Sequence, residues 1–530
     1  MENSITIIYF DKESYLHNLY IGYGITALKT VSVPLTAVYV DEENLFDVIN
    51  HLRSKYIVVF LSLGRYSIFK KFCEFKPGPS IVIACHYVPT YLGKEILLDV
   101  PSVDYIIAGE FDITLPCLVQ YLIQEKDVSN CKGILMRSEK KIIYTGNRPL
   151  IDSLDSLGFP DWGEITPPAQ IYHIFASRGC EGRCTFCDRN ALYRDLCVKQ
   201  RFRSIKNVGD EIDLLVNRFG CRIITFSDST FCSSDNIRNR LHELYCELKS
   251  KKYWVQFFIN LRAEQISDDV LNQLQLLKQV GLSRVFIGIE SFNTEDLEIY
   301  NKSTTVEVSK NAIELINLLP STRNDYLLDF EYGFILFNPY TTFEELKNNL
   351  NELLKANIIL TPNIISSRLI CNCIEPITRK IYEDGLLETS LDCSNLTQRT
   401  AFDIKYRFQD KRVERIYQAI ITCYNVLSVK LQGGIIFIRN RYYHFFGEDA
   451  VLSKLDDSYN EWQSALSDFC KKIISEILDM ENEKRYFEDY AINLCKEFKS
   501  AFAEIERKLQ VRKQRAFIEL QKIGEAIYEN

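Results

Sequence analysis

The chain has no stretch of about 18 consecutive apolar residues, so no membrane-spanning helix is expected. Its opening residues, Met1-Glu2-Asn3-Ser4, carry no basic cluster followed by an apolar segment, and no secretory leader is expected. No similarity recurs at a solenoid period, which excludes a repeat array. Positive charge is not in excess: the net charge is −8 and the pI about 5.6. That balance argues against a generic phosphate-binding surface, and nucleic acid is not an expected partner. Together these absences predict a cytoplasmic protein, in which thiols stay reduced. The 17 cysteines then read as packing residues or ligands rather than disulfides.

At 530 residues the chain is long enough for two to four domains. Hydrophobic residues at 46% and charged residues at 25% are the balance of a soluble, folded chain. Short apolar runs at 5–10, 35–40, 56–61, 80–84 and 104–108 alternate with helical patterns, and a hairpin follows at 133–136 and 142–145. This predicts a Rossmann-like parallel sheet domain over 1–145. Pro149, Pro160, Pro167 and Pro168 mark a linker at 146–170. A second alternation, with strands at 171–176, 222–227, 255–261, 284–289, 330–336 and 364–370, predicts a partial (β/α)6 barrel over 171–385. Residues 386–530 read as a helical C-terminal domain. The fold class is therefore α/β, with a helical tail.

The most informative stretch is Ser177-Arg178-Gly179-Cys180-Glu181-Gly182-Arg183-Cys184-Thr185-Phe186-Cys187, directly after the first barrel strand. Glycines let a loop turn tightly enough to aim several thiolates at one point. Arg178, Arg183 and Arg189 stand close in sequence and are expected to favour the thiolate forms that bind metal. Three cysteines leave one iron of a four-iron cubane without a protein ligand, open to a substrate or cofactor. The competing reading is structural zinc, which usually takes four ligands in two spaced pairs, and no second pair lies nearby in sequence.

The segment resembles the Cys-x₃-Cys-x-aromatic-Cys signature of the radical S-adenosylmethionine (SAM) superfamily, and the resemblance extends over about residues 170–370. It implies a [4Fe-4S] cluster on Cys180, Cys184 and Cys187, with Phe186 close to the adenine of S-adenosylmethionine. Reductive cleavage of that cofactor would give a 5′-deoxyadenosyl radical that removes hydrogen from a C–H bond. An electron donor such as flavodoxin or ferredoxin is implied as partner. By the same resemblance Asp228 would contact the methionine amino group, Arg262 would follow the third strand, and Glu290 and Ser291 would contact ribose and carboxylate. Capping of the next helix is the competing role for Asp228 and Glu290.

The N-terminal domain is similar to that of the superfamily's cobalamin-binding branch, through Val103-Asp104 with Gly109-Glu110 and through Leu154-Asp155-Ser156-Leu157-Gly158-Phe159-Pro160. The cobalt-ligating Asp-x-His-x-x-Gly loop is absent. Ala84-Cys85-His86 stands where the branch has Gly-Gly before the His, while Ser62-Leu63-Gly64 keeps a small polar loop. Cobalamin binding and a domain that kept the fold but lost the cofactor both stay open. The leading expectation is radical modification of a peptide or small-molecule natural product by cobalamin-dependent methyl transfer. An alternative is peptide epimerisation, with Cys371 or Cys373 as hydrogen-atom donor at the end of the sixth strand. RNA modification and a non-catalytic metal- or peptide-binding role are the remaining classes.

Overall fold

Continuously apolar runs suit strands covered on both faces, and the first third of the chain is built from them. In the computed structural model, which describes residues 2–11, 15–76, 78–139, 141–163, 165, 171–189, 192, 199–319, 325–392, 394–427, 432–479 and 487–525, five strands run parallel. They are β1 (Glu2–Tyr9), β2 (Leu35–Tyr39), β3 (Ser54–Phe60), β4 (Ile81–Cys85) and β5 (Tyr105–Ile107). The hairpin β6 (Ile134–Ser138) and β7 (Lys141–Tyr144) extends the sheet antiparallel. The strand order is β2-β1-β3-β4-β5-β6-β7. Its parallel part is doubly wound, and such sheets take ligands at the carboxyl ends of the strands where the order reverses, here beside β1 and β3.

The described part of the expected linker runs along the helix Tyr15–Lys29. Thr26 Oγ1 donates to Phe159 O at 2.7 Å, and Asp161 N–H donates to Gly22 O at 3.1 Å. A Cβ on Gly22 would stand 2.9 Å from Pro160 Cβ, so the approach requires glycine. Residues 166–170, with Pro167 and Pro168, lie outside the described residues.

The second sheet begins with β8 (Ile171–Ile174); the antiparallel pair β9 (Ser177–Arg178) and β10 (Arg201–Phe202) that follows in sequence is a separate two-stranded sheet. Then come β11 (Ile223–Phe226), β12 (Gln256–Arg262), β13 (Leu282–Glu290) and β14 (Asp329–Phe334). The order is β14-β13-β12-β11-β8, all parallel. The sixth strand expected at 364–370 does not form. Thr361 accepts from Ile364 N–H and Pro362 occupies the first helical position, so Pro362–Ile365 turns into a short helix. A single bridge, Phe337 with Arg368, stands where a sixth strand would pair. Among the described residues the barrel is thus a five-stranded open sheet.

The helical region starts at Lys411, later than expected, with helices Lys411–Leu427, Gln432–Phe446, Ala450–Leu478 and Phe487–Lys522. Phe437 packs beneath the second sheet against Ile223, Ile171 and Phe258. Asn440 exchanges two bonds with the Leu327 backbone, at 2.8 and 2.7 Å, so this helix covers the N-terminal ends of the strands. Among the described residues no helix is long and apolar enough to cross a membrane.

Candidate functional site

The cysteine loop leaves β9 through Gly179, whose φ of +84° is the left-handed conformation that glycine adopts without a Cβ penalty. It is fastened from three sides. Thr185 N–H donates to Tyr300 O at 2.9 Å, Thr185 Oγ1 to Ile299 O at 2.8 Å, and Ile377 N–H to Thr185 O at 2.9 Å. Asn301 Nδ2 donates to Arg183 O at 2.9 Å, and the Phe186 ring meets Tyr300 edge-on at 5.3 Å. Cys180, Cys184 and Cys187 are half-buried and in no disulfide. Gly182 N–H donates to Cys180 Sγ at 3.3 Å, and a Cβ on Gly182 would collide with the Arg262 guanidinium.

Two of the cations facing the loop, Lys302 and Arg262, are distant in sequence. Burial pushes the Cys184 thiol up, while Lys302 and Arg262 pull it back down. Arg178 instead turns toward the first domain, where its two terminal nitrogens bond both Asp112 oxygens at 2.8 and 2.9 Å. Arg201 makes the parallel contact to Glu110 at 2.8 Å. These two buried pairs bolt the first sheet to the cysteine loop. Arg189 does approach Cys187, whose thiol burial raises to about 12. Lys302, Ser303 and Tyr300 follow the helix Thr294–Ile299 and had no spacing signal in the sequence.

Glu290 sits at the top of β13 with φ +71°, rare for a side-chain-bearing residue and a sign of stored strain. The register with β14 slips here, between Gly288 and Glu290. The carboxylate folds back over Gly288 to pair with Lys302 Nζ at 2.7 Å. Arg262 donates to Ser303 Oγ at 2.8 Å and pairs with Glu264. Glu290, Lys302, Arg262 and the cysteines therefore form one neighbourhood.

Two other expected contacts are placed differently. The Asp228 carboxylate accepts from Ala176 N–H at 3.0 Å and from the Ser177 hydroxyl, so it holds the entry to the loop; burial raises its pKa to about 6. Ser291 is fully buried, and its hydroxyl bonds Asp296 at 2.7 Å and Asn349 at 3.1 Å, which turns it into the helix packing and away from the mouth. Cys371 and Cys373 do not share a strand face, because no strand forms there. Cys371 lies toward Tyr340 and Tyr406, and Cys373 toward Tyr91 and Arg399. Both thiols are buried and pushed up to about 12 by that burial.

A polar cavity of about 140 Å³ adjoins Cys180, lined also by Thr230, Arg262, Gln265 and Ser303. Among the described residues no three of His, Cys, Asp or Glu are grouped as a site for one metal ion. A donor set of three thiols suits a cubane with one open iron better than zinc, whose structural sites take four ligands. The loop therefore fits a cluster.

The carboxyl edge of the first sheet is different. Asp11 accepts from Ser62 and from Arg65 Nε, the latter at 2.6 Å, and Gly64 N–H donates to Thr400 O at 2.7 Å. His86, at φ +94°, is packed edge-on between Tyr20 at 4.7 Å and Tyr87 at 4.4 Å. The two tyrosine hydroxyls bond each other at 2.8 Å, and the half-buried Arg189 lies against them. Among the described residues Tyr20, His86, Tyr87 and Arg189 line this edge, and residues 12–14, shortly after β1, lie outside them.

Residues 174–324 match the family model of the radical SAM superfamily. The anaerobic magnesium-protoporphyrin IX monomethyl ester cyclase of Cereibacter sphaeroides is 29% identical over 244 residues, 43% of this chain and 38% of that protein. An uncharacterised methyltransferase of Pyrococcus horikoshii is 23% identical over 277 residues, 51% of this chain and 56% of that protein. The chain thus spans about half the length of the curated relatives it matches. The solved structure of OxsB with aqua-cobalamin and S-adenosylmethionine has a TM-score of 0.69 at 15% identity, covering 97% of this chain and 84% of that one. TsrM from Kitasatospora setae, with cobalamin and a [4Fe-4S] cluster, has a TM-score of 0.62 at 12% identity, covering 95% of this chain and all of that one. Residues 174–324 thus form a radical SAM domain, and the chain as a whole has the fold seen in OxsB and TsrM.

Proposed function

We propose that the protein is an enzyme that cleaves S-adenosylmethionine reductively and modifies a C–H bond of a peptide or other natural product. The observation that carries this reading is the loop of three half-buried thiols clamped at the strand ends beside Arg262, Lys302 and Glu290. A [4Fe-4S] cluster on Cys180, Cys184 and Cys187 would supply the electron for cleavage and an open iron for the cofactor's amino acid group. The chain's own work is positional. Thr185 and Asn301 fix the loop, Phe186 offers an aromatic edge, and Lys302 holds the strained Glu290 carboxylate at the mouth. An external reductant of flavodoxin or ferredoxin type fits this scheme.

Methyl transfer is the finer reading favoured by relatives described as methyltransferases. Cobalamin would supply the methyl carrier for that reading, with Tyr20, Tyr87 and Arg189 at the carboxyl edge of the first sheet that would face it. Epimerisation through Cys371 or Cys373 draws no support from two buried thiols on diverging sides. Anaerobic reconstitution followed by mass spectrometry of the products, with and without cobalamin, separates these. The expected product is 5′-deoxyadenosine in both arms. S-adenosylhomocysteine formed only with cobalamin would establish methyl transfer instead.

A further inference from the structure

β14 is the edge of the second sheet, and the side away from β13 borders a large cavity. The cavity measures about 910 Å³, near the upper end of ligand pockets at about 300–1,000 Å³. It touches every residue from Leu327 to Phe334. Side chains of a strand alternate between two faces, so a cavity meeting consecutive residues of β14 passes along that strand's edge, and through Arg284 and Phe286 of β13 it also covers one face of the sheet. Backbone direction agrees. Ile335 N–H donates to Glu290 O on β13 at 2.8 Å, whereas Leu336 N–H donates the other way, to Ser367 O at 3.1 Å. Counting back by alternation, the N–H and C=O of Phe330, Tyr332 and Phe334 face the cavity.

The opposite wall is the segment that failed to become a sixth strand, including Ile358, Thr361, Ile364 and Ser367. At the upper end the missing ladder resumes: Phe337 bridges Arg368 in parallel, and Leu369 N–H donates to Phe337 O at 2.7 Å. The cavity lies in line with an existing pairing and runs beside a six-residue strand. At about 3.3 Å per residue it leads some 20 Å up to Phe334, the partner of Glu290.

We propose that the substrate is a peptide bound as an added strand on β14. Its backbone bonds to Phe330, Tyr332 and Phe334, and its upper end reaches the Glu290–Lys302 mouth beside the cysteine loop. A ladder of alternating donors and acceptors is matched by an extended chain and not by a compact small molecule. The proposal rests on the radical SAM reading for its chemistry, but its test reads binding rather than turnover, so the two fail separately.

The probe is a dodecapeptide enriched from a randomised display library against the full-length, anaerobically reconstituted protein, then measured by fluorescence anisotropy. N-methylation of the probe at alternate residues is expected to weaken binding about tenfold per site, with little effect at the intervening residues. Tyr332→Pro, which removes an edge N–H where proline is tolerated, is expected to weaken it at least as much, while Tyr332→Phe binds normally. The N-methyl series uses the unaltered protein and stands even if the proline variant misfolds. Failure to enrich a peptide, indifference to N-methylation, or normal binding by a folded Tyr332→Pro protein would overturn the proposal.

Discussion

A methyl group on Gly182 would drive into the Arg262 guanidinium and approach Cys180 Sγ to 3.4 Å. Overpacking of this kind costs about 1–3 kcal/mol. Gly182→Ala is therefore expected to weaken iron–sulfide uptake about tenfold, read from iron content after reconstitution at limiting iron, with the far-UV spectrum unchanged. Asp228 gives a pH signature. Its folded pKa of about 6 exceeds the ordinary value of about 3.9, so the folded state binds more protons between the two. Stability of the iron-free protein should fall as pH rises from about 4 to about 6 and level off above, by a few kcal/mol in order of magnitude. Asp228→Asn should make that slope shallower in thermal denaturation, the remainder belonging to the other buried carboxyls raised by burial, Glu211, Asp296 and Asp329 among them; an unchanged slope would contradict a role for Asp228. The three cysteines and Phe186 were legible in the sequence because a fixed short spacing places them in one loop. Lys302 and Tyr300 were not, because they reach the loop from a helix more than 110 residues further along, and nothing local marks such a contact.

Among the elements, the strands that alternation revealed are those buried on both faces, where apolar runs are continuous. The run at 364–370 has the same composition, but Thr361 and Pro362 start a helical turn just ahead of it, and a cap outweighs a weak strand preference. Without that strand the edge of β14 is left bordering the cavity, and Cys371 and Cys373 are placed by a turn, both beside Glu375. The join between the first sheet and the cysteine loop depends on Arg178 and Asp112, each under one-tenth exposed. Removing one partner of a buried pair costs about 3–5 kcal/mol, because the other charge is left uncompensated. Asp112→Ala should lower stability by about that amount and reduce cluster retention. Thr342→Ala, which removes a capping box on the helix Phe343–Lys355, should cost only about 1 kcal/mol and leave the cluster intact. Chemical denaturation with iron analysis distinguishes the two.

At the scale of the molecule, the three parts converge on one mouth. The helix Phe111–Ile123 and its cap Glu110 in the first domain hold Arg178 of β9 and Arg201 of β10, the second sheet supplies Glu290 and Arg262, and the helical tail closes the second sheet from below with Phe437. The domain order was readable from composition and alternation. The lining of the first sheet's edge was not, since it depends on Tyr20, Tyr87 and Arg189 meeting from three separate segments. The most direct test of radical chemistry is the yield of 5′-deoxyadenosine from S-adenosylmethionine under strong reductant, comparing the anaerobically reconstituted protein with Cys184→Ala and Cys371→Ala. Formation by the unaltered protein and Cys371→Ala, and loss in Cys184→Ala, is the predicted result. No cleavage by a protein fully loaded with iron and sulfide would contradict it.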